Sequence, residues 1–300
     1  MWIVGLRGGA KPLGNFDLGN AGDALSNWSA GKIGLVLAAA LLLGFVVHPL
    51  LFATTQVLEG YWGPRPFAVR IATVLALRHR SRKKRLEDHV DDLNQERWRI
   101  LDEMIERRLG SEKFKLLSEQ ELRARRVTMS ARSQGAALHG LTLARDATLK
   151  VIDTMPPDAD RILPTRLGNA LRQAEDTIGR SYGIDLITVA PHLAMTAAPA
   201  RAAYLDDSRE QLDVSIRLAF YGLLSAVVTT VWLLGAGWWL LVALVPYAFA
   251  YVTYRGAVAS AAAWGAAVKT CMDLDRFALY EAMHVDWPTD TRAERQRNAR

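Results

Sequence analysis

Residues 216–254 read IRLAFYGLLSAVVTTVWLLGAGWWLLVALVPYAFAYVTY, and the parsing of this stretch decides the fold. Its apolar runs, 216–234 and 238–254, hold a single formal charge, Arg217, at the edge of the first. A helix of about 20 residues rises roughly 30 Å, the thickness of a bilayer's hydrocarbon core. Gly235-Ala236-Gly237 joins the runs, and so short a connection predicts an antiparallel helical hairpin. Arg217 and Arg255 then fall at one end, while Trp232, Trp238 and Trp239 bracket the turn at the other, as interfacial aromatic belts do.

Upstream, 33–52 is a third apolar run without a charged residue, and it is followed by Arg78-His79-Arg80-Ser81-Arg82-Lys83-Lys84-Arg85. The positive-inside rule sets the chain beyond the first run in the cytoplasm and the N-terminus outside. Arg217 and Arg255 give the same orientation. The Gly-rich leader is too long for an ordinary signal-peptide n-region, and the heavier positive charge follows the run, so an uncleaved anchor is expected. His48-Pro49 reads as the inner end of that helix.

The expected protein is therefore all-α: an inner-membrane protein of bacterial type with three transmembrane helices and a helical cytoplasmic module. Its parts are a flexible extracytoplasmic N-terminus (1–32), a first transmembrane helix (33–55), an interfacial amphipathic helix (61–77) and the cytoplasmic module (78–215). The transmembrane hairpin (216–254), a cytoplasmic helical extension (255–288) and a disordered polar tail (289–300) complete it. Residues 67–77 are too few to span, and Arg70 at mid-bilayer would cost about 2.5–3.5 kcal/mol, so this stretch is read as lying in the interface.

Within the module, Leu86, Val90, Leu93, Leu101, Ile105 and Leu109 recur on one helical face of an otherwise charged run. The stripe covers barely three heptads and Arg97 interrupts it, which favours a helix packed in a bundle over a long coiled coil. A second helix is expected over 142–153, stopped by Met155-Pro156-Pro157. A third opens at Pro164-Thr165, with Leu167, Ala170, Leu171 and Ala174 on one side. Gly168-Asn169 is unfavourable inside that helix and marks a close crossing or a bend. Residues 184–189 (IDLITV) are the one good strand candidate, ended by Pro191, or an irregular linker.

After the hairpin, Ala257, Ala261, Gly265 and Val268 form a smooth face for close helix packing, within the chain or between copies. The single cysteine, Cys271, excludes an intramolecular disulfide and a four-cysteine zinc site, and reads as a buried thiol. The net charge of +6 owes much to 78–85, and beside a membrane such a patch meets anionic lipid headgroups rather than nucleic acid.

No phosphate-binding loop, dinucleotide fingerprint or nucleophile elbow is present. No two histidines stand four apart, and His79 and His89 read as solvated. The pairs Asp91-Asp92, Asp206-Asp207 and Asp273-x-Asp275 do not converge on one metal; Asp206, Asp207 and Glu210 read as an acidic turn pairing with Arg209. The reading is accordingly non-enzymatic, with no catalytic residue, cofactor or metal.

It is a membrane-anchored scaffold or sensor for a cytoplasmic protein, with Arg78, Arg80, Arg82, Lys83, Lys84 and Arg85 on the lipid. The alternative is an oligomeric channel or membrane-permeabilising effector lined by Ser225 and Thr229, which stand at i and i+4. The segment PTRLGNALRQAED at 164–176, followed by Tyr182-Gly183-Ile184-Asp185, resembles one found in an uncharacterised actinobacterial-type family of multi-pass membrane proteins. The likeness extends through the hairpin to Asp275-Arg276-Phe277; it implies a multi-pass membrane topology and no established activity.

Overall fold

The computed structural model describes residues 51–300 apart from 133–134, 235–236, 285–286, 288–289 and 299–300, together with Gly31, Gly34, Ala38 and Leu42. The first expected span and His48-Pro49 thus lie essentially outside the described residues. The described chain is helical, with no strand. Its helices are α1 (Leu51–Glu59), α2 (Pro66–Leu109), α3 (Ser111–Lys115), α4 (Glu119–Arg132) and α5 (Ala136–Ile152). They continue as α6 (Arg166–Tyr182), α7 (Leu186–Thr196), α8 (Pro199–Leu233), α9 (Leu244–Ala282) and α10 (Thr291–Asn298). Two 3-10 segments, Ala159–Arg161 and Gly237–Ala243, precede α6 and α9.

The chain divides into two compact units. One is Pro64–Asp176; the other joins Thr177–Arg300 to the chain up to Gly63, so the division falls inside α6. The expected module of 78–215 is therefore shared between them.

In the first unit α2 runs unbroken through the basic stretch, so residues 66–77 are its opening turns and not a separate helix. Val90, Leu101 and Ile105 from the apolar stripe are buried, and the last two share a core with Met129 of α4 and Leu138 of α5. Arg126 binds Asp102 through two hydrogen bonds of 2.7 and 2.6 Å, and Arg97 donates to Ser130, which sets α4 antiparallel to α2. Ser118 and Glu121 open α4 with a reciprocal capping box: each backbone N–H donates to the other's side chain.

Thr165 caps α6 by accepting from the Gly168 N–H. Asn169 is buried, its amide donating to the Leu163 carbonyl at 3.0 Å and accepting from the Leu163 N–H at 2.7 Å. Gly168, beside it, is buried as well. Asn169 substitutes for a backbone partner and pins the preceding loop to the first turns of α6.

In the second unit α8 and α9 form the long antiparallel pair. Arg201 meets Asp275, Arg209 lies over the Trp264 ring at 5.5 Å, and Gly222 meets Ala250, so sequence number falls along α9 as it rises along α8. The buried positions of α8 are Leu205, Ser208, Leu212, Ile216, Ala219, Gly222, Ala226, Thr229 and Leu233, in steps of three or four that keep them on one face of the helix. Ala257, Ala261 and Gly265 lie in the facing seam of α9, all buried.

At the polar end of the pair, Ile178 and Tyr182 of α6 and Leu186 and Leu193 of α7 pack with Leu205, Val268, Cys271 and Met272. The strand expected over 184–189 is helix α7. Asp185 caps it, accepting from Ile187 N–H and from the Thr188 hydroxyl, and Leu186 and Leu193, two turns apart, anchor it to that core. Burial of that stripe overrides both the β-branched composition and the interior Pro191. The tail expected to be disordered also differs, since Thr291–Asn298 is a helix held through Glu294 and Asn298.

Candidate functional site

From Leu218 to Tyr254 the chain carries no Asp, Glu, Lys, Arg or His. Both helices over this stretch are long and apolar enough to cross a membrane. How their side chains are distributed is more telling than their length. The seam holds small residues: Ala219, Gly222, Ala226 and Thr229 on α8, with Ala250 and Ala257 on α9. A Cβ at Gly222 would stand 2.9 Å from Ala250 Cα, so the backbones touch there. Leu233 apart, which is buried, large apolar side chains point outward, Val231 at 62%, Leu234 at 65% and Val245 at 70% exposure among them.

A water-soluble hairpin does the reverse and buries its large side chains. In a bilayer, lipid tails are as apolar as Leu, and helices associate through small residues that allow close van der Waals contact.

The polar groups of this stretch are largely self-satisfied. Thr230 donates to the Ala226 carbonyl and Thr253 to the Phe249 carbonyl. Trp238 and Trp239 stack at the uncharged tip, with ring centroids 4.6 Å apart. Arg217 and Arg255 stand at the other end. Of the two residues expected to line a pore in an oligomer, Ser225 is exposed and Thr229 is buried.

The basic stretch lies on α2 in the other unit. Arg78, Arg80, Lys84 and Arg85 are exposed and Arg82 is half-buried. Lys83 departs from the lipid-facing role expected of it. At 7% exposure, its ammonium donates to the carbonyls of Pro156 and Pro157 at 2.7 and 2.8 Å, with Glu87 at 3.6 Å. Proline carbonyls in a Pro-Pro turn have no helical partner, and a cation reaching them from the neighbouring helix fills that need.

Arg80 adds an ion pair to Asp160 at 3.2 Å. His79 is half-buried rather than solvated, and burial, with Arg166 and Arg82 nearby, lowers its pKa and favours the neutral imidazole. Asp176 is buried against Arg161 at 2.7 Å; burial pushes its carboxyl above the usual range, although Arg161 pulls the other way.

A second polar cluster closes the charged end of the hairpin unit. The Tyr182 hydroxyl donates to Asp273, and the Arg276 guanidinium packs against the Tyr182 and Phe277 rings and faces Glu294 at 3.3 Å. Tyr280 donates to Glu294 at 2.8 Å, and Asn298 donates to the Tyr182 carbonyl at 2.9 Å. Burial, then the hydrogen bond to Asp273, pushes the Tyr182 phenol up to about 12. Cys271 is buried as expected, its thiol pushed up by burial and so kept protonated.

Asp273 and Asp275 are thus structural partners of Tyr182 and Arg201. Arg209 turns to Asp213 at 3.4 Å rather than to the acidic turn before it. Among the described residues no group of three or more His, Cys, Asp or Glu is placed to hold a metal. Sequence spacing gave no sign of this cluster, since its contacts link residues up to 116 positions apart.

No known protein-family model matches the chain, and neither the curated proteins nor the solved structures contain a significant match.

Proposed function

We propose that the chain is a non-enzymatic scaffold or sensor, anchored in the inner membrane and engaging a protein partner on the cytoplasmic side. The observation that carries the reading is the hairpin's inverted surface, a small-residue seam inside a belt of exposed large apolar side chains. In this reading residues 33–52 supply the first of three spans, the N-terminus lies outside, and the helices beyond the spans are cytoplasmic. Arg78, Arg80, Arg82, Lys84 and Arg85 meet anionic headgroups, each cation near the surface contributing about 1 kcal/mol. Lys83 stays within the fold. The alternative, an oligomeric channel or membrane-permeabilising effector, would use Ser225 and Thr229, and the burial of Thr229 within the single chain favours the scaffold reading over it.

The test combines carbonate extraction of membranes with cysteine labelling in a Cys271→Ser background. The chain is expected to stay in the pellet. Leu234→Cys should react with an impermeant maleimide from outside, and Ala259→Cys, at an exposed position of α9, only after permeabilisation. Release into the carbonate supernatant, or labelling of the two cysteines from the same side, overturns the reading. On liposomes, replacing the five exposed or half-exposed cations with Gln should weaken binding of the basic region to anionic lipid; unchanged binding at physiological salt removes that role.

A further inference from the structure

Between the last turns of α2 and the face of α4 lies a cleft of about 460 Å³. Its floor is apolar: Ile105 and Met129 are buried and Leu109 is half-buried. Its walls carry the exposed guanidiniums of Arg108 and Arg125 against a single carboxylate, Glu121. That carboxylate is already engaged, accepting from both the backbone N–H and the hydroxyl of Ser118, and it lies in the field of Arg125. The cleft therefore offers two cations over an apolar floor, and its one acid is committed to capping α4.

We infer that this cleft docks an acidic amphipathic helix of a cytoplasmic protein. The occupant would place apolar side chains at i, i+3 or i+4 and i+7 on the floor, and carboxylates on Arg108 and Arg125. Two antiparallel helices with lining residues one turn apart make the groove geometry such helices use. The inference rests on the scaffold reading above and names the chemistry of its partner.

The experiment uses the full chain in nanodiscs and three labelled helical peptides, read by fluorescence anisotropy. One carries Leu at i, i+4 and i+7 flanked by Glu; a second replaces each Glu with Lys; a third scrambles the first. The acidic peptide should bind, more weakly as salt rises, and at least about tenfold more tightly than the other two. Arg108→Glu with Arg125→Glu should reverse the preference between acidic and basic peptides, which a merely unfolded variant could not do. Ala124→Trp, on an exposed wall of the cleft, should weaken the acidic peptide by about tenfold or more.

Equal binding of the acidic and scrambled peptides, no binding of any peptide, or binding unaffected by both variants overturns the proposal. So does a cleft that responds to anionic vesicles and not to peptide. Failure here with the chain still retained in carbonate-washed membranes removes the cleft alone, whereas loss of that retention removes the scaffold reading itself.

Discussion

Arg201 clasps Asp275 through two parallel hydrogen bonds, Nε to Oδ2 at 2.6 Å and Nη2 to Oδ1, and so fixes the register of α8 against α9 at the charged end of the hairpin. Asp275 is buried, and the hydrogen bonds from Arg201 hold its carboxyl below the usual range. A carboxylate depressed in the folded state lends stability above its unfolded pKa, about 3.9, and loses it as pH falls through the folded value.

The pair should therefore add a constant increment of stability from neutrality to about pH 5 and lose it below about pH 4. Asp275→Asn leaves Arg201 without its anion. It should melt lower at pH 7 and show a shallower acid limb. Thermal unfolding at a series of pH values checks both, and an unchanged acid limb in the variant would show that the pair does not couple the helices.

Gly222 lies where the two backbones touch, and added atoms there have no flexible side chain alone to displace. A Cβ would meet Ala250 Cα and the Phe249 ring at 2.9 Å, and the Ala250 nitrogen at 3.0 Å. Alanine at a helical position normally gains up to about 1 kcal/mol over glycine. Overpacking costs about 1–3 kcal/mol, and here part of it falls on main chain. Gly222→Ala should thus be destabilising by about 1 kcal/mol net, and Gly222→Leu more so. Steric trapping or reversible unfolding in detergent would measure it; a stabilised Gly222→Ala would mean that the seam is looser than described.

The buried ammonium of Lys83 makes its own prediction, opposite to that of its neighbours. Lys83→Met keeps the aliphatic stem but leaves the Pro156 and Pro157 carbonyls without their donor, a cost of about 1–3 kcal/mol. Lys84→Met, on the exposed side, should cost almost nothing in stability and affect lipid binding instead. Chemical denaturation of the two variants side by side separates the roles, and equal stabilities would refute the assignment.

What was legible in the sequence was periodic and local. The uncharged stretch after Arg217 identifies the hairpin, the spacing of Leu101 and Ile105 gives the buried face of α2, and Thr165 marks the start of α6. Ala257, Ala261 and Gly265 were readable because small residues at helical spacing carry no other message. Lys83 was not, because nothing in a run of cations says which one turns inward; its partners lie 73 and 74 positions away. Nor was α7, where β-branched residues and Pro191 point locally to extended chain and only the packing of Leu186 and Leu193 reverses that preference. The helix at Thr291–Asn298 has a composition typical of a solvated tail, and long-range contacts of Glu294 and Asn298 decide its position.

Docking of that last helix also gives the sharpest spectroscopic prediction. Gly183 adopts φ +70, and a Cβ there would come within 2.6 Å of the Arg295 carbonyl oxygen, so Gly183→Ala is opposed both by its own backbone and by α10. Tyr182, next to it, should titrate near 12, about two units after an ordinary tyrosine. A phenol raised in the folded state contributes stability in full below pH 10, lost as pH rises toward 12. Absorbance at alkaline pH should therefore show a late-titrating component that Tyr182→Phe removes. Glu294→Ala and Gly183→Ala should both release α10, exposing it to limited proteolysis and shifting that late titration. Protection of α10 in both variants would sink the account of how it is held.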